Sequence, residues 1–528
     1  MYKISNLKLS VDFDKNKLSH IIADKLKIDS KFVKACKLTR LSIDARDKSN
    51  VFYVASIVFD CDKPLDVRRF KNLEKYVETQ SEWRRLNKPC SKNIVIVGSG
   101  PSGLFAGLTL ARAGAKVVIL ERGYEMSKRK LAVENLIKNG VLDERSNIQF
   151  GEGGAGTFSD GKLNSGIKSK FISSVLNDFV EFGAQDNILY DARPHIGTDV
   201  LERVIVNIRK HLENLGSQIL FEYKVVDLKI CEGKVCGVVV DTPHGETIID
   251  CDMLIMAIGH SSRDTIRMLF DKNLSLIQKP FSMGYRIEHL QKDIDYGQYG
   301  EFASLNCLPP ADYHLVSHLD NGRSVYTFCM CPGGVVVPAM SERHTFVTNG
   351  MSYSDRAGVN ANSALLCTIN PSDFGGDSPL AGIELQEKYE RYAYAKTKGY
   401  IAVVQNVQDF LKGVPSVSLG KVKPSITPKY QLGSVEDMLP QFCVESIKQG
   451  ILDLDKKLHG FADSGVLTGV ETRSSAPYQV VRDLNMMSNI EGLYMIGEGA
   501  GFAGGIMSSA VEGIKCADVI INKLNNFE

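Results

Sequence analysis

SKNIVIVGSGPSGLFAGLTLARAGAKVVILERG, residues 91–123, decides the fold class of this chain. Four apolar residues (IVIV) precede a glycine turn, and a helical segment and a second apolar strand, residues 116–120, follow it. Gly98, Gly100 and Gly103 form a GxGxxG pattern in the strand–turn–helix context that a dinucleotide-binding βαβ unit requires. The segment therefore predicts a nucleotide-binding α/β fold.

Each glycine of this turn has a physical role. Gly98 allows the strand to turn tightly into the helix, Gly100 lets the backbone approach a pyrophosphate, and Gly103 lets the helix pack on the sheet. At the end of the second strand, the Glu121 carboxylate is placed to accept hydrogen bonds from ribose hydroxyls, and it would repel a 2′-phosphate. The expected dinucleotide contacts are Gly98, Ser99, Gly100, Pro101, Ser102, Gly103, Glu121 and Arg122.

Two further segments favour FAD over NAD. CDMLIMAIGHSSRDT, residues 251–265, resembles the motif at which flavoproteins with two dinucleotide sites return to their FAD-binding domain. GLYMIGEGAGFAGGIMSSAVEGIKCADVI, residues 492–520, is similar to an element of glutathione-reductase-like flavoproteins in which an acidic residue holds the ribityl chain. Most of those proteins have Asp there, so Glu498 implies a longer reach or a water bridge. The resemblance implies contacts with non-covalent FAD from Ala257, Gly259, Gly497, Glu498, Gly504, Gly505 and Ile506.

Glycine is concentrated around these segments. Of 46 glycines, 13 lie in residues 98–166 and seven in residues 492–513. One stretch, NIQFGEGGAGTFSDGKLNSG at 147–166, is too rich in glycine for a helix or an interior strand. Its N–H groups suit an anion or the face of a ring, and its phenylalanines favour a cofactor-contacting loop over the alternative, a flexible surface loop. The expected contacts are Gly153, Gly154 and Thr157.

Several motifs together resemble one bacterial family. FGEGGAGTFSDGKL, KPFSMGYRIEH, MCPGG, VTNGMSYSDR, ANSALL, ETRSSAPYQVVRD and GEGAGFAGGIMSSA are similar to signatures of uncharacterised FAD-dependent, NAD(FAD)-utilising dehydrogenase-like proteins. This family belongs to the glutathione-reductase-like flavoprotein superfamily, and the resemblance spans nearly the whole chain. It implies bound FAD and an oxidoreductase fold, and it implies no particular substrate.

The order of apolar patterns predicts an α/β protein with a Rossmann-type FAD-binding domain. Residues 1–90 are expected to form a small basic β-α-β-β domain with a linker, and residues 91–279 the first part of the FAD-binding domain. Residues 280–420, rich in strand-like segments with Pro and Gly breaks, are expected to form an inserted, mostly-β substrate domain. Residues 421–528 are expected to return to the FAD-binding domain.

Catalytic candidates come from the family-specific motifs. Arg473 is placed to bind a substrate anion or the flavin edge, and Arg286 and His289 face opposite sides of a strand, so one of them is expected to reach a site. Cys329 and Cys331, beside a Pro-Gly-Gly turn, are expected to point the same way and to approach the flavin or a substrate. For each of these residues an ion pair or a core position is the alternative. No metal-binding motif is present in the sequence.

The predicted function is an FAD-dependent oxidoreductase that transfers hydride through flavin N5 to or from an unknown small metabolite. NADH or NADPH is open as electron donor, although no second GxGxxG provides a dedicated Rossmann site. The alternatives are a flavin monooxygenase, or a flavoprotein docked to RNA or a protein through residues 1–90, which carry a net charge of +8 against −7 for the rest. A cytoplasmic protein with reduced thiols and no membrane partner is expected, and the sequence assigns no oligomeric state.

Overall fold

The computed structural model describes residues 1–78, 84–305 and 307–526. Its first unit is the predicted β-α-β-β arrangement, extended by one short strand. The elements are β1 (Tyr2–Leu9), α1 (Leu18–Leu26), β2 (Val33–Asp44), β3 (Phe52–Cys61) and β4 (Leu73–Lys75). They form a sheet in the order β2-β3-β1-β4, whose apolar face packs on α1. The segment from 65 to 90 was expected to be helix-compatible, but residues 73–75 pair with β1 instead, and residues 79–83 lie outside the described part.

The second unit begins with the predicted dinucleotide-binding segment. Its elements are β5 (Ile94–Val97), α2 (Pro101–Ala113), β6 (Val117–Glu121), α3 (Met126–Asn139), α4 (Ile172–Glu181), α5 (Thr198–Asn214), β7 (Gln218–Phe221), β8 (Lys224–Cys231), β9 (Lys234–Thr242), β10 (Gly245–Asp250), β11 (Met253–Met256) and α6 (Arg263–Asp271). Glu125 precedes α3, and Ser127 lies in its first turn.

The third unit contains more strands than either of the other two. Its elements are β12 (Leu276–Gln278), β13 (Phe281–Leu290), α7 (Gln291–Tyr299), β14 (Val316–His318), β15 (Ser324–Cys331), β16 (Val335–Pro338), β17 (Thr348–Met351), β18 (Asn360–Ile369), α8 (Ala381–Thr397), β19 (Ala402–Asn406), α9 (Val407–Lys412), β20 (Tyr430–Leu432), α10 (Gln441–Asp455), β21 (Val466–Glu471) and β22 (Tyr478–Val480). The chain then returns to the second unit through β23 (Leu493–Met495) and α11 (Ile506–Asn526).

A five-stranded parallel sheet, β23-β11-β5-β6-β7, organises the second unit. The four residues of β5 are all buried, because helices and the β8–β10 sheet cover the two faces. Helix α2 packs against α11, so the two ends of the predicted FAD-binding domain are joined. The carboxyl ends of β5, β6, β11 and β23 meet at one edge, where nucleotide sites form in such sheets.

A seven-stranded sheet, β14-β15-β18-β13-β21-β19-β20, forms the third unit. Its central strand β13 pairs with β18 over ten residues and is buried almost throughout, with α8 and α10 covering one face. The sheet continues beyond the expected boundary at residue 420, since β20 and β21 belong to it.

The cysteines were expected to be reduced thiols, but Cys231 and Cys236 form a disulfide across the β8–β9 hairpin.

Candidate functional site

One cavity of about 670 Å³ opens at the carboxyl edge of the parallel sheet. Its walls come from the turn after β5, the end of β6, the loop at 149–166, the turn after β11 and the segment at 498–509. The far wall belongs to the third unit, through Thr327–Met330 of β15, Asn349 of β17, Glu471 of β21 and Arg473. The site thus lies between the two units that the sequence predicts to be cofactor-binding and substrate-binding.

The glycine turn after β5 packs closely against the turn after β11. Gly98 has φ of +103°, and a Cβ there would lie 2.3 Å from the carbonyl oxygen of Ala257, so a side chain is excluded. Gly100 precedes the first turn of α2 and leaves its N–H groups directed at the cavity. Of the predicted turn residues, Gly98, Gly100, Pro101 and Ser102 line the cavity, whereas Ser99 and Gly103 lie behind the surface.

Glu121 lines the cavity, but its carboxylate has protein partners. One oxygen accepts from the backbone N–H and the hydroxyl of Ser99 at 3.0 and 2.8 Å. The other accepts from the N–H groups of Gly123 and Gly151 at 2.9 and 3.0 Å. The carboxylate therefore ties three loops together, and its expected role as a free acceptor for ribose hydroxyls is not what this geometry shows.

Arg122 lines the cavity beside Glu121. Its guanidinium makes two 2.9 Å contacts with Asp264, which also lies 2.7 Å from Lys224. The same guanidinium lies 4.1 Å from the ring centre of Phe150. Burial alone would raise the pKa of Asp264, but the two cations lower it, so this carboxylate stays ionised and fixes the arginine.

The glycine-rich loop forms a long wall of the cavity. Gly154 has φ of +65° and its Cα faces Gly100, and residues 154–156 and 159–162 line the cavity. Gly153 and Thr157 were expected to contact the cofactor, but they point away from it. The N–H of Gly153 donates to the Ser99 carbonyl at 3.0 Å, and Thr157 is buried with its carbonyl accepting from Thr198.

Sequence reasoning missed a polar group at the end of this loop. Asp160 is buried, lies 2.9 Å from Arg356 and 3.5 Å from His195, and also bonds Ser352. Burial alone would raise the pKa of Asp160, but Arg356, Lys162 and His195 together lower it. Two other lining residues, Tyr223 and Asn349, were not among the predicted contacts, although Asn349 lies in the VTNGMSYSDR motif.

The segment after β23 lines the cavity with Glu498, Gly504, Gly505 and Ile506, whereas Gly497 lies behind it. One oxygen of Glu498 accepts from the N–H of Ala476 at 3.1 Å. Burial raises the pKa of this carboxyl to about 7. Helix α11 begins at Ile506 with its N-terminus at the cavity, so two helix N-termini, those of α2 and α11, face the same space. Ala257 and Gly259 complete this wall.

Arg473, a catalytic candidate, is committed to a buried ion-pair network. Its Nη2 and Nε donate to Glu390 at 2.6 and 3.1 Å, and its Nη1 donates to Ser341 and Ser261 at 2.6 and 3.3 Å. Glu390 is 0% exposed and also pairs with Arg263 at 2.7 Å. Arg473 lines the cavity, but its donors hold protein groups, so its expected role as a substrate-anion ligand does not match this arrangement.

Arg286 and His289 do face opposite sides of β13. Arg286 is 0% exposed, sits behind the cavity wall and makes two 3.1 Å contacts with Glu471. His289 points to the other side, where its Nε2 lies 2.9 Å from the Phe461 carbonyl. Neither residue lines the cavity; instead Glu471, the partner of Arg286, does. Burial raises the pKa of Glu471 to about 7 against the opposing effect of Arg286.

Of the two predicted cysteines, Cys329 lines the cavity and Cys331 is 0% exposed directly behind it. A bulge in β15 between Phe328 and Cys331 interrupts the regular alternation on which the sequence prediction relied.

Among the described residues, no group of three or more His, Cys, Asp and Glu side chains is placed to hold a metal ion. None of the described helices is long and apolar enough to cross a membrane.

These features fit a flavin dinucleotide. The open backbone at Gly100 and the N-terminus of α2 suit a pyrophosphate, and the elongated cavity continues from there to Glu498 and the N-terminus of α11. The fold and the site thus define an FAD-binding protein of the oxidoreductase type.

Comparison with known proteins agrees with this class. Residues 91–272 match an FAD binding domain model of the FAD-dependent monooxygenase group, and residues 280–474 match "FAD-dependent protein, C-terminal domain-like". Residues 1–59 match a domain of unknown function. A protein of Clostridium beijerinckii, named only "Uncharacterized protein", is 43% identical over 538 residues that cover 99% of both chains. The chain belongs to the family of this protein, a family of FAD-dependent proteins.

Two solved structures show low similarity to this chain. A geranylgeranyl bacteriochlorophyll reductase-like protein of Thermoplasma acidophilum is 14% identical, with a TM-score of 0.36 over 83% of this chain and 79% of that one. A 3-ketosteroid dehydrogenase of Rhodococcus jostii is 12% identical, with a TM-score of 0.34 over 83% of this chain and 100% of that one.

Proposed function

We propose that the chain is an FAD-dependent oxidoreductase that transfers hydride to or from a small metabolite. One observation carries this proposal: a single cavity joins the glycine turn after β5, the glycine loop at 154–162 and the segment at 498–509, and it ends against the seven-stranded sheet. Three segments distant in sequence therefore meet around one elongated space, with room for a substrate where the two units face each other.

The residues divide into two groups along the cavity. We assign the pyrophosphate to the turn at 98–102 and the flavin end to Glu498 and the first turn of α11, whose N–H groups stabilise negative charge. A bound flavin supplies hydride transfer at its N5. We place the substrate against Asn349 and Cys329 of the far wall and against Lys162 of the glycine-rich loop, all of which line the cavity.

We also propose that the chain belongs to the glutathione-reductase-like superfamily and that the seven-stranded sheet is part of a substrate domain. The sequence motifs support both points. NADH or NADPH would have to dock without a second glycine turn of the GxGxxG type.

A monooxygenase is the second candidate, because the FAD binding domain that matches residues 91–272 belongs to the FAD-dependent monooxygenase group. Under this proposal, NAD(P)H would reduce the flavin and molecular oxygen would be the co-substrate. Anaerobic reduction by NADH and NADPH, followed by admission of oxygen, separates the two candidates. Rapid peroxide formation that a substrate suppresses favours the monooxygenase, whereas reduced flavin that persists until an organic acceptor is added favours the dehydrogenase.

The test of the proposal is FAD binding by a matched pair of glycine variants. In Gly100→Ala the new Cβ meets only the Gly154 Cα, at 3.8 Å, so the fold tolerates it while the methyl group occupies the approach to the cavity. In the control Gly399→Ala the Cβ meets nothing within 4 Å, and Gly399 does not line the cavity. We expect FAD affinity to fall at least tenfold in G100A and to be unchanged in G399A, by titration of apo-protein. A wild-type protein that binds no FAD, or equal affinities in both variants, would contradict the proposal.

A further inference from the structure

The two cysteines of the MCPGG segment lie together at the cavity wall. Strand β15 carries one extra residue between Phe328 and Cys331, and Cys329 has φ of +43°, an uncommon conformation for a residue other than glycine. The bulge leaves Cys329 at the cavity surface and Cys331 beneath it, with the Cys331 thiol 3.3 Å from the Cys329 carbonyl oxygen.

Cations surround this pair. Nη2 of Arg286 donates to the Cys329 carbonyl at 2.7 Å and lies 3.4 Å from Cys331 Sγ. The Lys162 ammonium bonds the carbonyl of Met330, the residue between the two cysteines. A hydrogen bond from Cys331, aided by the charges of Arg286 and Lys162, lowers the pKa of Cys329 to about 6 against the effect of burial. Burial and the neighbouring Cys329 raise the pKa of Cys331.

A second pair of cysteines provides an internal comparison for Cys329 and Cys331. Cys367 and Cys443 are also adjacent, and a hydrogen bond from Cys443 lowers the pKa of Cys367. Both are 0% exposed in the core of the seven-stranded sheet. Within the described ranges, Cys329 is the only cysteine that lines the cavity.

We propose that Cys329 and Cys331 form a redox-active dithiol that exchanges one electron pair with the flavin bound in the cavity. The Cys329 thiolate and the Cys331 thiol join in an S–S bond and release two electrons and the Cys331 proton. The flavin takes up the electron pair and two protons, one from Cys331 and one from solvent. The reverse reaction delivers electrons from reduced flavin to the disulfide, which makes a thiol or disulfide compound the class of second substrate at this wall. This inference rests on the proposed binding of FAD.

The test is anaerobic titration of the air-oxidised holoenzyme with dithionite, combined with thiol counting. We expect the wild type to take up about two more electrons per FAD than Cys329→Ser and Cys331→Ser, because the Cys329–Cys331 disulfide adds one two-electron couple to those of the flavin and the Cys231–Cys236 disulfide. The control Cys367→Ser keeps the wild-type uptake. Alkylation before and after reduction, read by peptide mass, should show additional thiols at Cys329 and Cys331, besides those that the Cys231–Cys236 disulfide releases. The peptide masses are obtained from wild-type protein, so they decide the question even where a variant fails to fold.

The outcomes separate the two proposals. A holoenzyme that takes up no more electrons per FAD than C329S and C331S, with Cys329 and Cys331 already alkylated before reduction, overturns the dithiol and leaves FAD binding intact. A protein that shows no flavin absorbance after reconstitution overturns the proposed function and with it the flavin–dithiol exchange. Equal uptake by the wild type, C329S and C331S assigns any further couple to other cysteines, such as the Cys231–Cys236 pair, and also overturns the inference.

Discussion

Arg473, two residues beyond β21, donates from Nη2 to Glu390 on α8 at 2.6 Å. Arg263, at the start of α6 in the parallel-sheet unit, contacts the other oxygen of the same carboxylate at 2.7 Å. Glu390 therefore receives one cation from each of the two units that enclose the cavity, and Thr472 adds a hydroxyl at 2.6 Å. The network fixes the two units relative to each other beside the cavity wall.

Replacing Glu390 should destabilise the whole protein. In Glu390→Gln two buried guanidinium groups lose their main counter-charge and retain Glu342 at 3.2 and 3.6 Å, so we expect a cost of about 3 kcal/mol, the low end of the range for breaking a buried ion pair. We expect a lower melting temperature and weaker FAD binding, measured by thermal unfolding and FAD titration. The control Glu387→Gln lies on the same helix and contacts Arg267 and Arg391, which are 39% and 66% exposed, so it should cost about 0–1 kcal/mol. Equal melting temperatures for the two variants would argue against a central role for the network.

Glu121 should matter for FAD through the loops that it joins. In Glu121→Gln one acceptor oxygen is replaced by an NH2 group, which is itself a donor. This group faces the donors of either Ser99 or Gly123 and Gly151, so at least two hydrogen bonds are lost. Each such bond to a charged group contributes about 1.5–3 kcal/mol. We expect FAD affinity to fall by roughly tenfold or more, measured by fluorescence titration. Glu144→Gln, on the surface beside Arg343, is the matched control; equal affinities in both would show that the cofactor does not depend on this junction.

The stability of the cofactor-free protein should depend on pH through Glu498. Because its folded pKa of about 7 exceeds the ordinary value of 4.5, the folded state holds the proton more tightly than the unfolded state. The stabilisation is present below pH 4.5 and is lost as the pH rises through 7. Glu498→Gln does not titrate, so it should gain about 2–3 kcal/mol on the wild type between pH 5 and pH 8. Urea unfolding at the two pH values measures this gain, and a difference between the proteins that stays constant with pH would refute it.

The local parts of the fold were predictable from sequence. The βαβ unit around Gly98 appears where the pattern placed it, because its strand, turn and helix signals are contained in one contiguous segment. The opposite orientation of Arg286 and His289 follows from the two-residue period of a strand.

The predictions that differ from the structure concern residues whose positions depend on contacts with residues distant in sequence. The carboxylate of Glu121 is bound by Gly151, thirty residues away, and Arg473 is bound by Glu390 on another element. The position of Cys331 depends on a bulge whose register is set by β18. The boundary at 420 was misplaced relative to the sheet because β21 joins the third unit through pairing with β13, which its own sequence does not specify.

The pairing of β23 with β11 and the packing of α11 on α2 also bear on how the protein is made. One wall of the cavity comes from residues 498–509, which leave the ribosome long after the glycine turn at 98–103. A nascent chain can form the βαβ unit early, yet it cannot enclose a cofactor until this last segment has been synthesised. Enclosure of the cofactor therefore follows the synthesis of residues 498–509.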